Sequence, residues 1–305
     1  MAQDIFDLVI LGAGPAGITA AVYAARKGLK FRMVTLDIGG QAGWSGDIEN
    51  YTGYQFLTGP ELVAKFQEHM DHFGIDVSMP EKVVGFKKEQ KLIKITTDKD
   101  EYLAKTVIIA TGKRSRKLGL DNEDQLRNRG VTYCATCDGP LFKGKVVAVI
   151  GGGNSALDAA LQLVGICPKV YLINISDKLT GDKVMIDKLE KAANVEIINQ
   201  AKVSKIYADN FVNAIEIITS QGSSKILLSG IFVEIGLVPN SEFASIVNKN
   251  SQQEIIIDQE NKTNVKGIFA AGDVTNVIEK QIIIACGEGS KAALSAFRYL
   301  STNNF

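Results

Sequence analysis

The sequence predicts an α/β chain of two wound units, the second set into the first. Two observations carry this. The first is an internal echo: residues 7–34 read DLVILGAGPAGITAAVYAARKGLKFRMV and residues 146–172 read VVAVIGGGNSALDAALQLVGICPKVYL. Each is a short apolar run, a glycine-rich turn, an alanine-rich amphipathic stretch and a second apolar run. That is strand, turn, helix, strand, given twice. The second observation is where the other strand signals fall. Residues 81–110 alternate apolar and polar positions and run into a turn, residues 195–235 continue as strands, and residues 267–273 are one more buried strand. A periodic, alanine-rich helix over 282–299 closes the chain. The segments 111–118 and 236–243 are the linker candidates, so one domain runs 1–114 and 243–305 and encloses the other, 115–242.

Composition bounds the function. The chain has 305 residues, 34 Lys and Arg against 34 Asp and Glu, and no net charge. Nothing global draws it to nucleic acid or to an anionic membrane. No apolar run approaches the ~18 residues needed to cross a bilayer. The first strand-like run starts at Ile5, which leaves no room for a signal peptide, so the expectation is a cytoplasmic protein. Four cysteines, Cys134, Cys137, Cys167 and Cys286, are too few for a disulfide-stapled secreted fold.

The glycines of the two turns are spaced for dinucleotides. Gly12, Gly14 and Gly17, with Pro15 and Ala16 between them, fill GxGxxG directly after a strand and at the opening of a helix. The three positions serve a tight turn, close backbone approach to a pyrophosphate, and close packing of helix on strand. The helix start then offers free N–H groups to phosphate. The second turn is GxGxxA, with Gly151, Gly153 and Ala156, and Asn154 and Ser155 either cap the helix or touch phosphate. Two such turns imply two Rossmann-like, three-layer (ββα) dinucleotide-binding domains.

The second unit departs from the usual ribose signal. An acid about 20 residues past the glycines selects NAD, and arginines there accept the 2′-phosphate of NADP. Here the place is Asn174, followed by Ile175 and Ser176, and no arginine occurs between Arg129 and Arg298. A guanidinium clamp is missing, which disfavours NADPH.

Cys134 and Cys137 form a CxxC followed by Asp138. Structural zinc needs two more ligands, and neither Cys167 nor Cys286 has a cysteine or histidine within four residues. His69 and His72 read as surface or satisfied residues, so no metal site is expected. A structural disulfide here closes a trivially small loop. A redox pair fits best, with Asp138 as candidate acid or base. Cys167 and Cys286, in apolar surroundings, read as inert. The basic cluster Lys113, Arg114, Arg116 and Lys117 reads as a solvated linker rather than a docking patch.

Taken in order, GAGPAGITAAVYAARKG, GGQ at 39–41, IENY at 48–51, ATG at 110–112, VTYCATCDGPLFKGKVVAVIGGGNSA, GIFVEIGLVPN and GIFAAGDVTNVIEKQIIIACGEGSKAALSAF span nearly the whole chain. They resemble the low-molecular-weight thioredoxin reductases and, more closely, the related NADH-using flavoprotein of alkyl hydroperoxide reductase. The resemblance implies FAD in the split domain, held by Gly12, Gly14, Pro15, Ala16, Gly17, Thr35, Gly40, Gln41, Asn50, Thr111, Gly112, Gly272, Asp273, Lys280, Gln281 and Ile282. It implies a nicotinamide dinucleotide on Gly151, Gly153, Asn154, Ser155, Ala156 and Asn174. Cys137 is then the thiol nearest the flavin, Cys134 the interchange thiol and Asp138 the proton donor. It also implies a homodimer, rotation of the inserted domain about its linkers, and a thioredoxin- or glutaredoxin-like carrier as partner.

The reading is therefore an FAD-dependent protein-disulfide reductase fed by NADH. Its rivals are a reductase fed by ferredoxin or a deazaflavin, which the weakened ribose position motivates, a dithiol oxidase that makes peroxide, and a flavin-binding protein with no catalysis.

Overall fold

The computed structural model describes residues 4–44, 47–48, 50–127 and 129–303; the side chains of Trp44, Asp47, Thr136 and Cys137 lie outside the described residues. The apolar run at the start becomes β1 (Ile5–Ala13), buried along most of its length. α1 (Pro15–Arg26) begins on a proline, where the missing N–H has no helical partner to lose. It ends where Arg26, Lys27 and Gly28 turn the chain, Gly28 at φ 65°. β2 (Phe31–Ile38) follows, then β3 (Asp47–Ile48) and β4 (Leu57–Thr58), which pair antiparallel. α2 (Gly59–His72) starts on a capping box. Thr58 Oγ1 accepts the Glu61 N–H, and the Glu61 carboxylate accepts the Thr58 N–H.

β5 (Val77–Ser78), β6 (Val83–Glu89), β7 (Leu92–Thr97) and β8 (Glu101–Ile109) lead to β9 (Lys113–Ser115). Then come β10 (Val131–Thr132), the single-turn α3 (Ala135–Asp138), β11 (Val146–Ile150), α4 (Asn154–Val164) and β12 (Lys169–Ile173). α5 (Lys183–Glu190), β13 (Val195–Ile198), β14 (Lys202–Ala208), β15 (Val212–Thr219), β16 (Gly222–Leu227) and β17 (Gly230–Val233) follow. The chain returns through β18 (Leu237–Pro239), which pairs with β9, to β19 (Ile268–Ala270) and α6 (Ile282–Thr302). It divides into two compact units, residues 1–114 with 238–305, and residues 115–237.

The first unit is a seven-stranded sheet ordered β5-β2-β1-β8-β7-β6, with β19 also on β8. β1, β2, β5, β8 and β19 are parallel, and β6–β7–β8 are antiparallel. One face carries α1 and α6 over Leu8, Ile10, Met33, Ile108 and Phe269. The other buries Val9, Leu11, Val107, Ile109 and Ile255 against Phe86, Ile93 and Ile95. The second unit repeats the plan. A five-stranded parallel sheet, β10-β17-β11-β12-β13, has α4 and Leu157, Leu163, Leu172 and Phe232 on one face. An antiparallel meander, β14-β15-β16, supplies Val203, Ile206, Ile215 and Ile217 to the other. The fold class is the predicted one.

In the first unit α1 and α6 approach so closely that a Cβ on Gly289 would lie 2.0 Å from the Ala16 carbonyl oxygen. Gly289→Ala is therefore expected to force the helices apart and cost about 1–3 kcal/mol, as overpacking does, despite the better helix propensity of alanine. Urea unfolding followed by far-ultraviolet dichroism measures it; an unchanged or higher midpoint contradicts this packing.

Candidate functional site

The glycine turn of the first unit is a steric necessity. Gly12 sits at φ 103°, and a Cβ on it would lie 2.5 Å from the Ala110 carbonyl oxygen. A Cβ on Gly17 would lie 1.9 Å from the Gly12 carbonyl oxygen. The backbone thus passes flat under the start of α1, whose cap, Gly14, brings no side chain to the first N–H groups. Those donors and the positive end of the helix dipole are left for an anion. The turn is stitched to β2: Ala13 N–H donates to Thr35 Oγ1 at 3.1 Å, and Thr35 Oγ1 donates to the Asp37 carbonyl at 2.7 Å. Thr35 is at the turn, but its hydroxyl is spent bracing the backbone.

Of the other residues assigned to this site, Gly40 and Gly272 lie against the turn. A Cβ on Gly40 would lie 3.4 Å from Gly14 Cα, and one on Gly272 would lie 2.9 Å from Ala16 Cβ. Asn50 donates to the Gln281 side chain at 3.0 Å, and Ile282 opens α6. Gln41 Nε2 donates to the Lys113 carbonyl. Thr111 and Gly112 are clasped by Asn240, which donates to the Thr111 carbonyl and accepts from Thr111 Oγ1 on its own carbonyl. Asp273 is half-buried, and desolvation pushes its carboxyl up while Lys280 and Lys113 pull it back.

A charge cluster next to Asp273 was not legible in the sequence. Glu254 Oε1 takes Lys113 Nζ at 2.9 Å and Lys280 Nζ at 3.0 Å, and Asn250 adds a hydrogen bond. The Lys113 and Glu254 side chains are 10% and 8% exposed. Burial alone raises the Glu254 carboxyl, but the hydrogen bonds from Lys113, Asn250 and Lys280 overcome it and hold the group at about 2. Lys280 is shifted down, mainly by burial, although Glu254 opposes the shift.

In the second unit Gly151 stands at φ 142°, and a Cβ on it would lie 2.2 Å from the Glu234 carbonyl oxygen. Ala156, in the third motif position, is fully buried. α4 is capped by Gly153 without a side chain. Asn154, its first residue, uses Oδ1 to accept the Asp182 N–H at 2.7 Å, and so fastens the segment after β12 onto the turn. The Asn174 amide is also taken. Its Nδ2 donates to the Lys178 carbonyl and to Asn199 Oδ1, its Oδ1 accepts the Ser176 N–H, and the residue is 4% exposed. A Cβ on Gly152 would lie 2.4 Å from Asn174 Oδ1. Asn174 therefore shapes the turn, with its amide engaged by the segment that follows β12.

Cys134 follows β10 at the same, carboxyl, edge of this sheet and is in disulfide form, whereas Cys167 and Cys286 are free and buried. The Cys137 side chain lies outside the described residues. Cys134 N–H donates to Thr132 Oγ1 at 3.2 Å, and Thr132 Oγ1 makes a short hydrogen bond to Asp138 Oδ2. Glu123, 1% exposed, accepts the N–H groups of Leu118 and Gly119 and the Tyr133 hydroxyl at 2.7 Å. A buried acid so far from the motif carries no pattern that marks it. His69 and His72 pack on the Phe73 ring. Among the described residues no group of three His, Cys, Asp or Glu is placed to hold a metal, and no helix is long and apolar enough to cross a membrane.

Two glycine turns with open helix starts, and a cysteine disulfide beside one of them, define a nucleotide-linked disulfide oxidoreductase. A family model described as pyridine nucleotide-disulphide oxidoreductase matches residues 6–289, and the chain belongs to that family. It is 43% identical to the F subunit of the alkyl hydroperoxide reductase of Staphylococcus epidermidis, over 99% of this chain and 60% of that protein. The chain thus spans 60% of the length of the curated relatives it matches. Among solved structures, a thioredoxin reductase of Lactococcus lactis aligns with a TM-score of 0.84 at 35% identity, covering 98% of this chain and 100% of that one. A ferredoxin-flavin thioredoxin reductase of Clostridium acetobutylicum aligns with a TM-score of 0.56 at 30% identity, covering 99% and 100%. The family implies FAD and a pyridine nucleotide, and the side-chain-free turn under α1 fits the pyrophosphate of the first.

Gly17→Ala is expected to give a destabilised protein that purifies without bound flavin, because the new methyl forces the Gly12 peptide out of the turn; the ratio of visible to ultraviolet absorbance reads this. Glu254 supplies a pH test. Its carboxyl is lowered from 4.5 to about 2, so its contribution to stability is present above 4.5 and is lost as pH falls toward 2. Glu254→Gln should lower stability at neutral pH by on the order of 3 kcal/mol, because two lysines lose their partner. It should also flatten the acid limb between those two values, which urea midpoints against pH will show.

Proposed function

We propose that this chain is an FAD-dependent protein-disulfide reductase that carries two electrons from NADH to the disulfide of a small thioredoxin- or glutaredoxin-like carrier. The observation that supports it most is that one unit holds a nucleotide turn and the oxidised Cys134 at the same edge of one parallel sheet. When bound, FAD supplies the two-electron relay between a dihydronicotinamide and a disulfide. The net reaction is NADH, a proton and oxidised carrier giving NAD⁺ and carrier dithiol.

The chain's own residues have separate parts. Gly12, Gly14 and Gly17 bring backbone N–H groups to the flavin dinucleotide. Cys134 pairs with Cys137. Once reduced, the Cys134 sulfur attacks the carrier disulfide, and Cys137 resolves the mixed disulfide, which returns the pair to its oxidised form. Asp138, fixed by the Thr132 hydroxyl, exchanges the proton that the leaving sulfur needs. NADH is favoured over NADPH because the segment after β12 carries no arginine to take a 2′-phosphate; its cations are Lys178 and Lys183, and Lys183 lies 3.9 Å from Asp187. The enzyme works as a homodimer in the cytoplasm.

A second reading, a reductase fed by ferredoxin, is favoured by the Asn174 amide, whose N–H groups are committed to Lys178 and Asn199 and whose oxygen already accepts the Ser176 N–H. Anaerobic titration of the purified flavoprotein separates the two. NADH should bleach the flavin within the mixing time, and NADPH far more slowly. Bleaching by dithionite but by neither nucleotide rejects the NADH donor and supports the second reading. Cys134→Ser should keep NADH bleaching and lose carrier reduction by roughly two orders of magnitude or more. Unchanged carrier reduction in that variant ends the disulfide-reductase reading.

A further inference from the structure

Glu234 follows β17, whose neighbours are β11, which runs into Gly151–Gly153, and β10, which runs into Cys134. β12 and β17 leave β11 on opposite sides, and sheets of this kind take ligands at the carboxyl ends where the order reverses. The Glu234 backbone lies against Gly151, as the 2.2 Å separation from a Cβ there attests. Its side chain turns the other way, and the carboxyl accepts the N–H of Ala135, the residue directly after Cys134. The charge that bears on it is a second acid, Asp158 on α4. The strands β10, β11 and β17 bring no titratable residue. α3 brings Asp138, which is bound to Thr132, and around Tyr133 stand Glu123, Asp124 and Arg127, whose guanidinium lies 5.7 Å from the ring centroid. Glu234 is thus a half-buried acid between the glycine turn and the cysteine turn of this unit. Burial, then Asp158, pushes it up to about 7, and the Ala135 N–H only partly offsets them.

A cysteine sulfur becomes a thiolate readily when N–H donors and positive charge point at it. Here the Ala135 N–H is committed to a carboxylate, and that carboxylate carries the same sign as the thiolate. We propose that Glu234 is a positioning residue of the redox pair which, through the Ala135 peptide, keeps the Cys134 sulfur protonated after the disulfide is reduced. Two electrons and two protons convert the disulfide to two thiols. Ionised Glu234 holds the Cys134 proton in place until a base removes it at the encounter with the carrier. The dithiol is thereby protected from stray oxidants at neutral pH. This rests on the proposed function only in assigning Cys134 as the exchange thiol.

The test uses the holoprotein, reduced, desalted without oxygen and pulsed with iodoacetamide between pH 5.5 and 9.5. Alkylation at Cys134 is read by site-resolved mass spectrometry. In Glu234→Gln the Cys134 profile should move to lower pH, with alkylation about tenfold faster at pH 7.5, the size of effect a nearby like charge has on a pKa. The wild-type profile should bend near pH 7 as Glu234 ionises, and the variant should lose the bend. Asp158→Asn, on the exposed side of α4, should keep the bend and shift it to lower pH. Superimposable Cys134 profiles in wild type and Glu234→Gln, at equal flavin content, overturn the proposal. So does a bend that stays at the wild-type pH in Asp158→Asn, should Glu234→Gln not fold. Neither outcome depends on which donor bleaches the flavin or which carrier accepts the electrons.

Discussion

The molecule rests on backbone meeting backbone where no Cβ can stand. Gly17 against the Gly12 carbonyl, Gly12 against Ala110, and Gly151 against the Glu234 carbonyl are one contact made in two units. In each, a strand ends, the chain doubles back within a residue or two, and a helix starts directly over the strand. That geometry leaves peptide N–H groups pointing outward at a helix start, and it brings neighbouring strand ends within reach. Ala110 of β8's exit and Glu234 of β17's exit are therefore beside the turn because of packing. Their neighbours, Thr111–Lys113 in one unit and the Cys134–Ala135 peptide in the other, inherit that position.

Electrostatics then differ sharply between the units. The first gathers two lysines on one carboxylate, with Asp273 alongside, in a setting where an unpaired charge would be costly. The second gathers acids, Glu234, Asp158 and Asp138, about a disulfide. A buried charge-balanced cluster suits the holding of a fixed group. A cluster of like charges with spare proton capacity suits a site that must take up and release protons as it turns over.

The repeated strand–turn–helix pattern was legible because the rule it obeys is local. Three positions within six residues answer to sterics alone, and the surrounding apolar runs state which element lies on either side. Motif residues such as Gly40 and Gly272 were legible through resemblance. What stayed hidden joins residues far apart in the chain. Lys113 and Glu254 are separated by more than a hundred residues and meet only after the inserted unit has been passed. Asn174 is the opposite case. Its position is the expected one, but position does not reveal that Lys178, Ser176 and Asn199 have already claimed its amide. Glu234 reads as the tail of an apolar strand, and only the placement of β10 next to β17 gives it a neighbour to act on.

The insertion has a consequence for synthesis. The inner unit is one continuous stretch, complete once residue 237 has left the ribosome. The outer unit is not. β8 waits for β19 along Val107–Ile109, and the apolar face of α1 waits for α6. The order in which the domains are finished is thus the reverse of the order in which they begin. The guest is finished while its host still exposes one open strand edge, at Val107–Ile109, and an uncovered helix. A nascent chain stalled after β18 would carry a folded redox module tethered to a host half that holds its apolar surface open to chaperones.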